Sequence, residues 1–385
     1  MAWHLMERGW PHVTEGAAVR VVMAGGGTAG HVLPAIVVAD RLRATGADVI
    51  FVGSADGPEG GAVTAAGYRF EPMRVVSSQT RVSMRSAAAL WHAGTAARAV
   101  RPLVRTADVV VGFGGYASAP AILASRWSKV PIVLIEQNGV PGAVNRLAAR
   151  WARVVATTFD ATAARLPEDV RVVRTGNPLR PEIAHVLEAR AGLRGEAHRM
   201  FELEPDRRTV GVFGGSQGAF HLNQAVVAAI PLLRGRGDLQ LLISAGPAHE
   251  ALFDELPHGA EEVLVRAFGF IDRMDLALAA TDVAVSRAGS GAITELTACG
   301  VPTILVPYPH ATENHQEANA RELERAGAAE VVLDRDLSGE RVAGGIVRLL
   351  DDRARSVRMG AAARAWAMPD ASGQIAALIA EVVAA

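Results

Sequence analysis

The chain has 385 residues, half of them apolar, and a formal net charge of −1; that is more than one compact core usually holds, so two domains are expected, and no global positive field draws the chain onto nucleic acid. Its one cysteine, Cys299, excludes an internal disulfide or a multi-cysteine metal site. Its one lysine, Lys129, is followed by Val130 with no glycine loop ahead of it, which removes P-loop, protein-kinase and Schiff-base chemistry.

Residues 1–18 mix Trp3, His4, Glu7, Arg8, Trp10, Pro11, His12 and Glu15 without an apolar export segment, and read as an extension ahead of the fold. From Val19 onward short β-branched runs alternate with Ala/Leu/Arg helical patterns, the signature of an α/β fold with parallel sheets. Strands are expected at Val19–Ala24, Val49–Val52, Val109–Gly112, Pro131–Glu136 and Val154–Thr157 in a first half. A second half, over residues 177–367, is expected to carry strands at Thr209–Phe213, Leu239–Ser244, Val263–Phe268, Val283–Ser286 and Pro302–Val306, with a short one near Ala329–Leu333. Between them Thr175–Arg180, broken by Gly176 and Pro178, suits a hinge after residue 176, and the last helix, within 368–385, has the option of packing back on the first half. Two doubly wound Rossmann-like domains facing a central cleft would place the site in that cleft. Apolar runs are of strand length, far short of the ~20 residues of a spanning helix, so any membrane contact is expected to be peripheral.

Each half opens with a strand, a glycine loop and a helix. The first loop, Ala24–His31, lets backbone approach phosphate closely at a helix N-terminus. Gly25, Gly27 and Gly30 also fit a dinucleotide fingerprint, but Val49–Ser54 closes without the acidic residue a ribose of NAD needs. His31, where loop becomes helix, suits a general base for a sugar hydroxyl, or a structural imidazole. In the second loop, Phe213–Ala219, Ser216 and the backbone amides suit a pyrophosphate without a metal. In Ser286–Glu295, small residues lead into a helix whose Glu295, one turn in, can accept from two ribose hydroxyls, or where Thr294 and Glu295 favour the helix N-terminus for capping and dipole reasons. His310 and His315 lack a third ligand for a metal, and Asp336 is expected to cap a helix beginning near Leu337 rather than to bind an ion with Asp334. Gly112–Ser118 and Glu136–Gly142 close two more strands with polar loops on the same face. Arg81, Arg85, Leu90, Trp91, Arg98, Arg101 and Arg105, with Arg126, Trp127 and Lys129, form a basic, partly apolar set suited to an anionic membrane surface, or to an ordinary solvated face.

From about Val19 to the C-terminus, these ordered motifs resemble the MurG family, the UDP-N-acetylglucosamine:lipid I N-acetylglucosaminyltransferases of peptidoglycan synthesis. The resemblance implies a GT-B fold and an inverting transfer of GlcNAc to the C4 hydroxyl of the N-acetylmuramyl-pentapeptide of lipid I, giving lipid II at the cytoplasmic face of the membrane. It implies donor contacts at Thr28, Ala29, Gly30, Asn138, Arg180, Ser216, Ile271, Ser290, Gly291, Ala292, Ile293, Thr294, Glu295 and Gln316. His31 matches the family's suggested base, and Tyr116 and Asn145 match its acceptor side; no metal or other cofactor is implied. Ala29 stands where the family often has glycine, and Ala219–Asn223 lacks a basic residue common there. Other readings kept open are a natural-product glycosyltransferase, a UDP-N-acetylglucosamine 2-epimerase, an NAD-linked dehydrogenase and a non-catalytic sugar-nucleotide-binding subunit.

Overall fold

The computed structural model describes residues 18–26, 29–57, 59–74, 87–215, 219–253 and 262–385. It separates into two compact units, one of residues 1–180 with 370–385 and one of residues 181–369.

In chain order the first unit holds β1 (Arg20–Ala24), α1 (Ala29–Arg43), β2 (Asp48–Ser54), α2 (Glu59–Ala65), β3 (Arg69–Met73), α3 (Ala87–Val104) and β4 (Val109–Gly112). It continues with α4 (Ala119–Ser128), β5 (Ile132–Glu136), α5 (Ala143–Ala148), β6 (Val154–Thr157) and β7 (Val172–Arg174). Its seven strands are all parallel, in the order β3-β2-β1-β4-β5-β6-β7. The central strands are continuous β-branched runs, buried on both faces, as helices on both sides of a parallel sheet require.

The second unit holds α6 (Pro181–Met200), β8 (Arg208–Phe213), α7 (Phe220–Ala229), β9 (Leu239–Ser244), β10 (Leu264–Phe268), α8 (Met274–Ala280) and β11 (Val283–Ser286). Then come α9 (Ser290–Ala298), β12 (Thr303–Leu305), α10 (His315–Arg325), β13 (Glu330–Val331), α11 (Gly339–Asp351) and α12 (Arg353–Trp366). Its strands are again all parallel, ordered β10-β9-β8-β11-β12-β13. The last helix, α13 (Ala371–Ala384), buries Ile375 and Ile379 in the core of the first unit, together with Val38 and Leu42 of α1.

The expected strands are present, and two edge strands join them. β3 reads Arg-Phe-Glu-Pro-Met and is only partly buried, while β7 is three residues long. Both lie at sheet edges, where proline and polar residues are tolerated because one side of the strand is unpaired. Asp336 does not cap a helix. It ends a short 3-10 turn, and Ser338 caps α11, its Oγ accepting from Arg341 N at 3.3 Å. The expected helix start near Leu337 lies within two residues of the observed Gly339, but serine in an extended conformation at 338 meets the cap geometry that Asp336 does not.

In both sheets the strand order reverses beside the first strand of the unit, between β1 and β4 and between β8 and β11. Loops leaving the carboxyl ends of those two strands diverge to opposite faces, which opens a crevice where doubly wound folds bind ligands. The glycine loops follow β1 and β8, so each sits at its own sheet's switch point.

Candidate functional site

In the first unit the loops after β1 and β4 are joined directly. Phe113 N donates to Ala24 O at 2.8 Å, and Gly115 lies so close to Gly26 that a Cβ there would sit 2.7 Å from the Gly26 carbonyl oxygen. Gly115 also has φ +72°, so this approach admits only glycine without strain. Gly30 and His31 lie in the first turn of α1, Gly30 exposed and His31 half-buried. Thr28 lies outside the described residues, as does the side chain of Ala29.

Beneath this loop sits Glu59, 1% exposed, which sequence reasoning missed. Its Oε1 accepts from Ser54 N at 2.8 Å, and a Cβ on Gly26 would fall 2.1 Å from the same oxygen. Glu59 and His31 border one cavity of about 10 Å³, the size of a single water, closed by Phe51, Val63 and Phe70. The available signal was an acidic residue entering a helix shortly after the second strand.

Tyr116 begins the 3-10 turn after β4 and is 40% exposed. Asn145, on α5, is 1% exposed; its Nδ2 donates to Ile135 O at 3.0 Å and to Glu136 Oε2 at 2.9 Å. The Glu136 carboxylate also accepts from Asn138 N and Gly142 N, each at 3.0 Å. Burial pushes the Glu136 carboxyl up, and these hydrogen bonds pull against that. Asn145 therefore acts on the site through Glu136, which ties the loop 137–142 together and sets the half-buried Asn138, whose carbonyl accepts from Thr162 Oγ1 at 2.8 Å. Replacing Asn145 by leucine removes two buried hydrogen bonds, one of them to a carboxylate, at a cost of about 1–3 kcal/mol. Thermal unfolding is expected to move down by several degrees; an unchanged midpoint would show that the amide is dispensable. Arg180, half-buried, ends the segment Thr175–Leu179, which is otherwise buried.

In the second unit, α9 starts at Ser290 after an extended Gly289, and no side chain caps its first turn. Its backbone N–H groups are thus directed at whatever occupies the switch point. Ile293 is buried in the core, which fixes the turn, while Ser290 and Glu295 are half-buried and Gly291 is exposed. Ala292 is also half-buried, and the Thr294 hydroxyl is turned back onto the helix, donating to Ser290 O at 2.8 Å. Gln316, in the first turn of α10, accepts through Oε1 from Ala288 N at 3.1 Å and Tyr308 N at 2.9 Å, so it links the loops after β11 and β12. The residues before it, Glu313 and Asn314, both hold positive φ, an unusual local strain ahead of a candidate ligand contact. Ile271 is 4% exposed beyond β10, beside Phe270 at 61%. Ser216 lies outside the described residues.

Among the described residues, no group of three or more His, Cys, Asp or Glu is placed to hold a metal ion, and no helix is long and apolar enough to cross a membrane. Of the basic and apolar set, Trp91 on α3 is 70% exposed, and the Arg98 guanidinium lies 5.6 Å over the ring of Trp127 on α4. Arg101 bridges the same two helices through Ser128 Oγ at 3.3 Å and Trp127 O at 3.4 Å. Arg81, Arg85 and the side chain of Leu90 lie outside what is described.

Residues 21–157 match the glycosyltransferase family 28 N-terminal domain, and residues 209–375 match the family's C-terminal domain. The chain is 42% identical over 375 residues to a UDP-N-acetylglucosamine--N-acetylmuramyl-(pentapeptide) pyrophosphoryl-undecaprenol N-acetylglucosamine transferase of Nocardioides sp., covering 94% of this chain and 98% of that one. It is 37% identical to the protein of the same name from Moorella thermoacetica, covering 95% and 99%. The crystal structure of Acinetobacter baumannii MurG is similar with a TM-score of 0.76 at 28% identity, over 94% of this chain and 99% of that one. With two parallel-sheet units, a glycine loop at the switch point of each, and near full-length identity to these transferases, the chain belongs to the MurG family of GT-B glycosyltransferases.

Proposed function

We propose that this chain transfers GlcNAc from UDP-GlcNAc to the C4 hydroxyl of the N-acetylmuramyl-pentapeptide in lipid I, with inversion, and so makes lipid II. The observation that carries this reading is near full-length identity to transferases named for that donor and acceptor. The second unit is assigned the donor, through the α9 N-terminus, Glu295, Gln316, Ile271 and the Ser216 loop. The first unit is assigned the acceptor, with Tyr116 beside the loop that leads into His31, and also the donor contacts at Thr28, Ala29, Gly30, Asn138 and Arg180.

In this mechanism the acceptor oxygen attacks the anomeric carbon from the face opposite UDP. The new C–O bond forms as the bond from that carbon to the diphosphate oxygen breaks, which turns an α donor into a β product. His31 removes the hydroxyl proton and later returns it to solvent, and UDP leaves with the bonding electron pair. Charge growing on the diphosphate is met by oriented backbone N–H groups at the helix starts and by Arg180, dipoles and a cation that are already in place before reaction.

The test is UDP release from UDP-GlcNAc with and without a short-chain lipid I analogue, in EDTA. Acceptor-dependent release supports both the transferase and a metal-free site; release that needs no acceptor would favour the epimerase, and none at all a binding subunit.

The enzyme is assigned to the cytoplasmic face of the membrane as a peripheral protein, held by the basic and tryptophan-bearing surface of α3 and α4. Exposed Trp91, with Arg98 over Trp127, supplies an apolar anchor and attraction to anionic headgroups. Trp91→Ala with Trp127→Ala is expected to weaken binding to phosphatidylglycerol vesicles about tenfold or more, since each tryptophan buries a large apolar area. Unchanged vesicle co-sedimentation would remove this surface from the account.

A further inference from the structure

Two charged side chains buried at the carboxyl edge of the second sheet have no role in the chemistry above. Arg287, the first residue past β11, and Asp334, shortly past β13, are 8% and 9% exposed at their side chains, with Nη1 2.6 Å from Oδ1. The same Nη1 donates to Val306 O at 3.2 Å and Pro307 O at 3.4 Å, and the guanidinium lies 5.5 Å over the Tyr308 ring. Arg287 N donates to Phe213 O at 3.1 Å, the residue that enters the second glycine loop. Asp334 Oδ2 faces Nδ1 of His221 at 3.0 Å, on the first turn of the helix that leaves that loop.

One ion pair thus joins the segments leaving four neighbouring strands, β8, β11, β12 and β13. Stability alone does not account for it, because desolvating two charges offsets much of their attraction and an apolar pair would fill the same space without loss. An apolar pair has no directional bonds, however, and cannot fix the heading of four loops. The residue after Arg287 is held as well: Ala288 N donates to Gln316 Oε1, and Ala288 O accepts from Asn319 Nδ2 at 3.2 Å.

We propose that Arg287 and Asp334 are positioning residues that hold the loops after β8, β11 and β12 in the arrangement that grips the nucleotide donor, acting through Ser290–Glu295 and Gln316 without touching the donor themselves. This rests on the reading that the second unit binds UDP-GlcNAc.

The test is the double variant Arg287→Met/Asp334→Leu, assayed beside the wild type for Tm, KM for UDP-GlcNAc and kcat. Removing both charges leaves no uncompensated ion, so the double variant folds with Tm lowered only by the lost bonds to Val306 O and Pro307 O, while KM rises about tenfold or more and kcat changes less, because uniform binding is what is lost. Arg287→Lys, which keeps the charge without the planar fork, falls between the two. A folded double variant with wild-type KM overturns the proposal. Should the double variant not fold, His221→Ala decides, since His221 is 67% exposed and its loss does not threaten the core. A KM raised about threefold supports the positioning role, as expected for one lost hydrogen bond, and an unchanged KM sinks it. A wild type that shows no affinity for UDP in calorimetry would instead remove the donor-site reading, and this proposal with it.

Discussion

His31→Ala is expected to lower turnover by about two to four orders of magnitude, the usual contribution of a positioned general base, with UDP affinity almost unchanged. The split follows from placement. His31 belongs to the first turn of α1, while the assigned nucleotide contacts in the α9 start and Gln316 belong to the second unit. Isothermal titration with UDP and steady-state rates at saturating UDP-GlcNAc separate the two effects. Retained turnover would remove His31 as the base, and the structure narrows what could replace it. Glu136 is 5% exposed and already accepts from Asn138 N, Gly142 N and Asn145 Nδ2, so it lacks the access to substrate that a base needs. Tyr116, 40% exposed, would become the next side chain to test, with assistance from the substrate itself as the other route.

Glu59 bears on the same experiment. It borders the cavity that His31 borders, lies against Gly26 of the glycine loop and accepts from Ser54 N at the end of β2, so the first turn of α1 stands beside a buried carboxylate rather than on apolar packing alone. His31→Gln is the better-matched control for the alanine variant, because it keeps a polar side chain toward that space while lacking an imidazole to take the proton.

Much of the fold that carries this candidate site was legible in the sequence because its local signals and its tertiary placement coincide. A strand, glycines and a helix start are read from neighbouring residues, and the parallel topology then brings the loops after β1 and β8 to the switch points without further information. What escaped was of two kinds. Edge strands such as Arg69–Met73 carry proline and charge in place of the β-branched runs that betray a buried strand. Long-range polar pairs left no local trace: Arg287 and Asp334 are 47 residues apart, and Asp334 had been read only with its neighbour Asp336. Asn145 shows a third limit. The sequence resemblance placed it on the acceptor side, and only the structure shows that its amide nitrogen is spent on Glu136 and Ile135. Residue type and spacing can locate such a group, but whether it touches a ligand or holds another residue depends on which way its side chain is packed.

Glu295→Ala is expected to weaken binding of UDP and UDP-GlcNAc by about ten- to a hundredfold, since hydrogen bonds to a charged acceptor contribute about 1.5–3 kcal/mol. Glu295 lies in the second turn of α9, whose register is set by buried Ile293 and Leu296, so its carboxylate is held on a fixed side of the helix. A bare loss of affinity would not distinguish a ribose contact from a disturbed helix. The discriminating measurement adds 2′-deoxy-UDP to the comparison as a double-mutant cycle. If Glu295 accepts from the ribose hydroxyls, the wild type prefers UDP over the deoxy analogue and Glu295→Ala loses most of that preference. A variant that binds both more weakly yet keeps the wild-type preference would place the ribose elsewhere and leave Glu295 as a residue that serves the helix. The carboxylate has no cap to make, since the first turn of α9 is uncapped by any side chain. A negative charge this close to a helix N-terminus gains from the dipole by only about 0.3–1 kcal/mol, too little to account for a hundredfold loss. An effect at the upper end of the expected range, accompanied by loss of the preference for UDP over its 2′-deoxy analogue, therefore points to direct contact with the donor.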